Sequence, residues 1–500
     1  MNASAWLPVL ILASSLLPGI AIFLLHEDSH RLRSLLNLAG ASIKLLLVLL
    51  LVWGVAQGRH YEARWALGPE LELVLQADAL SLLFITLSTV LWLVTTVYAI
   101  GYLEGTAHRS RFFGFFSLCV TATVGLALAG NLFTFVLFYE LLTLATYPLV
   151  AHKGTPEAVR GARIYLAYTI SGGLVLLIGA VWLQTLAGPI EFAPGGVLAD
   201  MPLLDHAALR WIFLILILGL GVKVALVPLH GWLPQAMIAP APVSALLHAV
   251  AVVKAGAFGV VRVVYEVYGI EFAADLGLLT PLGVAASLTI VYGSIMALGQ
   301  DQLKRRLAYS TVSQVSYIVL GTALLGPLAT VGGLVHLVHQ GLMKITLFFA
   351  AGNYAETLGV HRVSEMDGVG RRMPRTTIAF SVAALGMIGV PPVAGFVSKW
   401  YLGLGAAEAG VAGWVVPVLI LSSLLNAAYF LPILYRAWFR PPPAAWPDTR
   451  FAPVHGEANA TLLWPPLVTA AIALAAGLFA AAPFSPLDWV QLIATREYRL

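Results

Sequence analysis

Six of the seven lysines, Lys44, Lys223, Lys254, Lys304, Lys344 and Lys399, lie within or at the edge of apolar runs, whereas all twenty-one arginines fall in loops or at helix ends. Arginine stays charged in proteins, while a buried lysine can lower its pKa until it exchanges a proton near neutral pH. An ionisable group at membrane depth is costly and reads by default as functional, so the segregation points to proton exchange. Glu140, the only acid in NLFTFVLFYELLTLATYPLV, could stabilise a protonated Lys223 and release its proton when the carboxylate moves or is neutralised. A structural salt bridge between helices is the plain alternative. His336 and His339 are spaced i, i+3 on one helical face, with Lys344 further along, and His248 stands six residues before Lys254. Histidine relays protons near neutral pH. Imidazoles bonded to neighbouring carbonyls, and metal or haem ligation, are the other readings, although no second histidine pair stands ready to complete a metal site.

Other polar groups are ambiguous. Lys304, beside Arg305 and Arg306, also reads as a lysine snorkelling to the interface. Ser310, Thr311, Ser313, Gln314 and Ser316 could hold water or glue helices together. Lys44 has no polar neighbour in its span and stays unassigned; His230 could cap a helix or serve the relay.

The elements that hold these residues must be membrane spans. The chain is 60% hydrophobic and 10% charged, against roughly 25% charged in soluble domains. The single cysteine, Cys119, excludes an internal disulfide or a cysteine-ligated metal centre. The net charge of +4 comes from basic residues scattered singly over short loops, which argues against nucleic acid. The first charge follows a long apolar run without a basic n-region, so the start reads as a retained span. At about 20 apolar residues per crossing, an all-α fold of fourteen spans is expected near 5–24, 35–56, 77–100, 113–129, 132–150, 164–186, 211–228, 242–266, 279–298, 303–323, 328–351, 376–398, 410–435 and 462–483. The gaps 57–76, 187–210, 352–375 and 436–461 read as ordinary loops.

Loops after odd-numbered spans carry sixteen basic residues and the opposite side six. The positive-inside rule therefore places both termini away from the cytoplasm. Pro228 lacks the N–H that would bond the Val224 carbonyl, and Pro234 likewise frees that of His230. Such backbone is tolerated at depth only where protein buries it or water reaches it. The seventh span is thus broken near Lys223, and the twelfth, SVAALGMIGVPPVAGFVSKW, is broken at Pro391 and Pro392 near Lys399. The two stand five spans apart, an odd number, as expected of two inverted repeats. The implied organisation is 1–112 as a three-helix segment, 113–266 and 279–435 as the repeats, and 436–500 as the last span and tail.

VPLHGWLPQAMIAPAPVSALLHAVAVVKAG, FYELLTLATYPLV, LKRRLAYSTVSQVSYI, HLVHQGLMKITLFFAAG and GVPPVAGFVSKWYL together resemble motifs of the antiporter-like membrane subunits shared by respiratory complex I, membrane-bound hydrogenases and Mrp-type Na+/H+ antiporters. The resemblance implies a line of charged residues across the mid-membrane. Glu140 and Lys223 would form the charge pair of a first half-channel and Lys254 with His248 a connecting relay. His336, His339 and Lys344 would form a second relay, and Lys399 the end of the second half-channel. Many members carry an acid and a histidine after the WLP turn, where this chain departs from the pattern with Gln235 and Met237. Lys399 stands in place of the glutamate of one complex I subunit type, and an end about seventeen residues after the last span is expected to leave out the long lateral helix of the largest complex I subunit; GFVSKWYL with Gln235 and Met237 looks most like the D-type member of Mrp antiporters.

The expected function is proton translocation within a multisubunit Na+/H+ antiporter of a bacterial inner membrane, with other membrane subunits as partners and neither cofactor nor metal. Alternatives are a redox-driven complex I or hydrogenase subunit, an inorganic-carbon uptake subunit, or a non-conducting anchor. No phosphate-cradling loop or nucleophile elbow suggests an independent enzyme.

Overall fold

The computed structural model describes residues 3–201, 204–447 and 457–498; Arg450 and Arg499, counted above among the loop arginines, lie outside them. The chain opens with α1 (Ala3–Phe23) and α2 (His30–Ala56), then a two-stranded antiparallel hairpin, β1 (Tyr61–Gly68) and β2 (Leu71–Ala77). Next come α3 (Ala79–Tyr102), α4 (Arg109–Ala127), α5 (Leu132–Val150) and α6 (Pro156–Ala187). They are followed by α7 (His206–Val224), α8 (Trp232–Gln235), α9 (Ala241–Ala249), α10 (Val252–Arg262), α11 (Ile270–Asp275), α12 (Leu279–Leu298) and α13 (Leu303–Thr322). The rest is α14 (Pro327–Leu358), α15 (Val369–Arg372), α16 (Pro374–Ile388), α17 (Ala394–Glu408), α18 (Ala412–Phe439), α19 (Ala460–Leu478) and α20 (Pro486–Glu497).

Among the described residues, twelve helices are long and apolar enough to cross a bilayer, counting Ala241–Tyr268 as one. The polar α13 and the α16/α17 pair are the other two elements that the fourteen-span reading requires. Polarity is distributed inside out. Leu46, Leu288, Leu424 and Trp211 face outward, each more than 60% exposed, whereas Lys44, Lys223, Lys254, His336 and Lys344 are fully buried. That arrangement suits hydrocarbon outside and a hydrated interior, because an exposed apolar belt of this kind in water would drive aggregation.

The segment 57–76 is not a plain loop, as the sequence reading had it. Tyr61 pairs with Ala77 and Leu71 with Gly68 across the hairpin, and an isolated antiparallel bridge from Leu75 to Ala129 ties it to the bundle. The core is organised around α14, which packs against α3, α9, α13, α16, α17, α19 and α20.

Three interruptions shape the interior. α7 stops at Ala225, which takes a left-handed conformation (φ 65°), ahead of the cis Val227–Pro228 bond. α16 stops at Gly389 (φ 99°), ahead of the cis Pro391–Pro392 bond. Pro234 sits inside the short α8 rather than at a break. The third interruption separates α9 from α10 at Val250–Ala251, between His248 and Lys254.

Candidate functional site

Free carbonyls at a broken helix end need donors, and both proline breaks find them. The Trp232 indole donates to Val222 O at 2.6 Å. Beyond the second break, Lys399 Nζ reaches back from α17 to Met387 O (3.1 Å) and Ile388 O (2.7 Å), and also bonds Ser423 Oγ at 3.0 Å. A cation at a helix C-terminus sits at the negative end of the peptide dipoles, so α16 itself holds the Lys399 amine in place.

Lys223 occupies the last turn of α7 and is fully buried. Its Nζ donates to Tyr139 O and lies 3.3 Å from the centroid of the Tyr139 ring. Glu140, the next residue on α5, makes no ion pair with it, although each charge acts on the other electrostatically. The carboxylate packs instead against Gly173 of α6, and its buried Oε1 has no protein donor. The sequence thus placed the two groups in the right neighbourhood, but Tyr139 intervenes with its carbonyl and its ring. α10 crosses α7 at Gly256, where an added Cβ would lie 2.6 Å from Val224 N and 2.9 Å from Lys223 Cβ.

Beyond that crossing the polar groups continue through the centre of the bundle. Lys254 is fully buried and its Nζ has no protein partner. It lies within electrostatic range of Lys344 and His336 on α14. Lys344 donates to Leu307 O (3.1 Å) and Ser310 Oγ (2.7 Å) on α13, and Ser310 meets the Tyr429 hydroxyl at 2.9 Å. Tyr429 also contacts Asn426, so a hydrogen-bonded string joins α14, α13 and α18. His336 Nδ1 lies 2.8 Å from Ser398 Oγ. Ser398 gives its hydroxyl hydrogen to Gly395 O (3.2 Å) and so offers its oxygen to a protonated Nδ1. The Tyr317 ring stands between this histidine (centroids 5.1 Å apart) and Lys399 Nζ (5.4 Å). His339 lies on the same helix, against the backbone at Ala394.

His248 stacks on Phe348 (centroids 4.6 Å apart) with both ring nitrogens lacking protein partners. Gln314 and Gln340 are buried with both amide atoms unmatched. Buried polar groups require hydrogen-bond partners, which at such places are ordered waters. The two amides, His248 and Lys254 thus leave buried polar atoms without protein partners between the two proline breaks. Lys304 bonds Ala239 O at 2.5 Å, an anchoring role in keeping with its place at the edge of α13. Lys44 lies apart, bonded to Ser15 Oγ at 2.6 Å and 5.2 Å from the Trp92 ring.

The sequence reading did not find Tyr139, Tyr317, Ser398, Tyr429 or Asn426. Aromatic and small polar residues carry no signature until the fold sets them beside a lysine or a histidine.

Comparison with known proteins shows the family and the fold. Residues 129–425 match the family described as NADH:quinone oxidoreductase/Mrp antiporter, TM, and residues 67–113 the family described as NADH-Ubiquinone oxidoreductase (complex I), chain 5 N-terminus. The N subunit of the NADH-quinone oxidoreductase of Desulforudis audaxviator is 39% identical over 432 residues, 84% of each chain. The A/B component of a probable K(+)/H(+) antiporter of Rhizobium meliloti is 32% identical over 78% of this chain, which spans 39% of that relative. In fold, a chain of the Mrp complex from Dietzia sp. DQ12-45-1b matches with a TM-score of 0.88 at 24% identity, covering 100% of this chain and 98% of that one. A chain of the archaeal membrane-bound sulfane sulfur reductase matches with a TM-score of 0.85 at 22% identity, covering 100% and 99%.

Proposed function

Because the chain belongs to the NADH:quinone oxidoreductase/Mrp antiporter family of membrane subunits, we propose that it is a proton-translocating subunit of a multisubunit monovalent cation/proton antiporter, corresponding to the D-type member of Mrp complexes. One observation carries the proposal: buried amines and imidazoles run from Lys223 through Lys254, Lys344 and His336 toward the half-buried Lys399, with unmatched polar groups among them.

In the proposed cycle, a proton taken up near Glu140 charges Lys223, whose ammonium is held by the Tyr139 carbonyl and ring. Charging Lys223 disfavours a second positive charge nearby, so a proton on Lys254 moves on to Lys344 and the His336/His339 face. Ser398 and Tyr317 steady His336, and the proton is delivered to Lys399 at the second break. Each transfer leaves one amine or imidazole neutral and its neighbour charged. The bland reading, packing histidines and structural lysines, leaves the full burial of Lys254 without a protein partner unexplained.

The same proposal extends to the arrangement in the membrane. The seventh-span and twelfth-span breaks belong to two inverted repeats, 113–266 and 279–435, and both termini face away from the cytoplasm of a bacterial inner membrane. Other membrane subunits complete the complex, and the chain is a transporter component rather than an enzyme by itself. The 39% identity to a relative named as an NADH-quinone oxidoreductase component favours a second reading, in which redox chemistry in a partner drives the same relay.

Reconstitution distinguishes the two. The assembled complex, in vesicles carrying a pH dye, should respond to Na+ or K+ pulses. No response to either cation, together with co-purifying flavin or iron–sulfur proteins, would replace the antiporter reading with the redox one. Normal transport by Lys223→Ala and Lys399→Ala, with assembly disturbed, would reduce the chain to an anchor.

A further inference from the structure

The relay does not account for a second buried polar cluster, on the face that carries the hairpin and α20. Arg262, at the end of α10, is 1% exposed and binds Asp78 at 2.7 Å as well as Glu266. Its Nε has no protein acceptor. Asp78 is at the same time the N-cap of α3, accepting from Ser81 N at 2.6 Å. Glu497, at the end of α20, accepts from Gly195 N at 3.3 Å and adds a third carboxyl. All three carboxyls line one cavity of about 670 Å³, together with His60 and Arg496. The buried Arg262 thus meets two acids, while Arg59, Arg496 and His60 share the cavity with Asp78, Glu266, Asp488 and Glu497.

Beside this cluster runs a chain of hydroxyls. Tyr265, in the π-helical turn Val263–Tyr268, lies 2.8 Å from Thr330 Oγ1 in the first turn of α14, and Thr330 lies 3.1 Å from the Tyr498 hydroxyl. Gly326 N donates to the Tyr498 oxygen at 2.9 Å, which leaves the Tyr498 hydrogen free to point inward or outward. Tyr265 and Thr330 are fully buried, Tyr498 is half-buried, and Tyr265 senses the charge of Glu497. Thr330 stands six residues before His336 on the same helix, an axial distance of about 9 Å. π-turns inside helices recur at functional positions.

We propose that Tyr265, Thr330, Tyr498 and Glu497 form a proton port through which the interior exchanges protons with water on the face that carries the hairpin. This rests on the relay proposed above. A proton reaching the Tyr265 oxygen, which lies within electrostatic range of Glu497, is matched by transfer of the Tyr265 hydroxyl proton to Thr330, of the Thr330 proton to Tyr498, and of the Tyr498 proton to water, Glu408 and Glu271 being the carboxylates within electrostatic range of Tyr498. Only O–H bonds break and form, every hydroxyl ends neutral, and rotation of the hydroxyls resets the chain. Burial holds the Glu497 carboxyl up at about 7, with Asp78 adding to the rise and the Gly195 N–H, Arg262 and Arg496 opposing it. It therefore takes up and gives off a proton near neutral pH.

The test uses the assembled complex in vesicles with a pH dye. Tyr265→Phe and Glu497→Gln should each slow proton flux by about tenfold, and Glu497→Asp should retain most of it. Wild-type flux in both Tyr265→Phe and Glu497→Gln overturns the port and leaves the relay standing, whereas absence of flux from the wild type counts against the relay itself. A measurement on the unaltered complex covers variants that fail to assemble. A carbodiimide, which attacks protonated carboxyls, should modify Glu497 at pH 6 in a mass-spectrometric map and much less at pH 9. No modification at either pH contradicts the port.

Discussion

At the scale of single residues, the account rests on what an amine can do that a guanidinium cannot. Lys223 is buried against the Tyr139 carbonyl and ring with no carboxylate in contact. A structural cation there could be replaced by arginine, whereas a group that must lose its proton could not. Lys223→Arg should therefore leave the complex assembled and lower proton flux by about tenfold or more; wild-type flux in this variant would assign Lys223 to structure alone. Ser398 gives a second prediction. Ser398→Ala removes the oxygen that His336 Nδ1 meets at 2.8 Å, and leaving a buried polar group unmatched costs about 1–3 kcal/mol. A lower unfolding temperature of the purified complex together with slower flux is expected. A change in neither would show that His336 does not depend on this contact.

At the scale of elements, close helix crossings place the charges. Glu140 lies against Gly173, where a methyl group has no room beside the carboxylate. Gly173→Ala should push Glu140 off α6 and slow flux several-fold, while Gly403→Ala, whose added Cβ meets nothing within 4 Å, should leave flux unchanged; both rates come from the same dye assay. Equal effects in the two variants would mean that Glu140's position is unimportant. The sequence foretold the breaks at Pro228 and at Pro391–Pro392 because proline removes a donor that a helix needs. It did not foretell the α9/α10 interruption, since LLHAVAVVKAG offers no proline there and no glycine before Gly256. The hairpin could have been read from the alternation in YEARWALGPELELVLQA and its Gly-Pro turn. Composition drew the reading toward helices and loops only.

At the scale of the molecule, lysines and histidines in apolar runs were legible because their cost at membrane depth needs no alignment to recognise. The port was not, because Tyr265, Thr330 and Tyr498 come from three distant stretches of chain. The neighbouring Arg262 and Glu266 did carry a signal, opposite charges at i, i+4 near the end of an apolar run. Orientation belongs to this scale too. With both termini outside, Thr495→Cys on α20 should react with a membrane-impermeant thiol reagent added outside intact cells, and Ser364→Cys, after α14, only once the cells are opened. The native Cys119 is buried and should stay unlabelled in both. The reverse pattern would invert the arrangement.

The most direct test of the central claim replaces Lys254, the buried amine between the two breaks, with methionine, which keeps the length and removes the titrating group. In vesicles carrying the assembled complex and a pH dye, Lys254→Met should assemble normally and lose proton flux by about tenfold or more. Flux at the wild-type rate would contradict the claim that protons cross this chain by way of its buried amines.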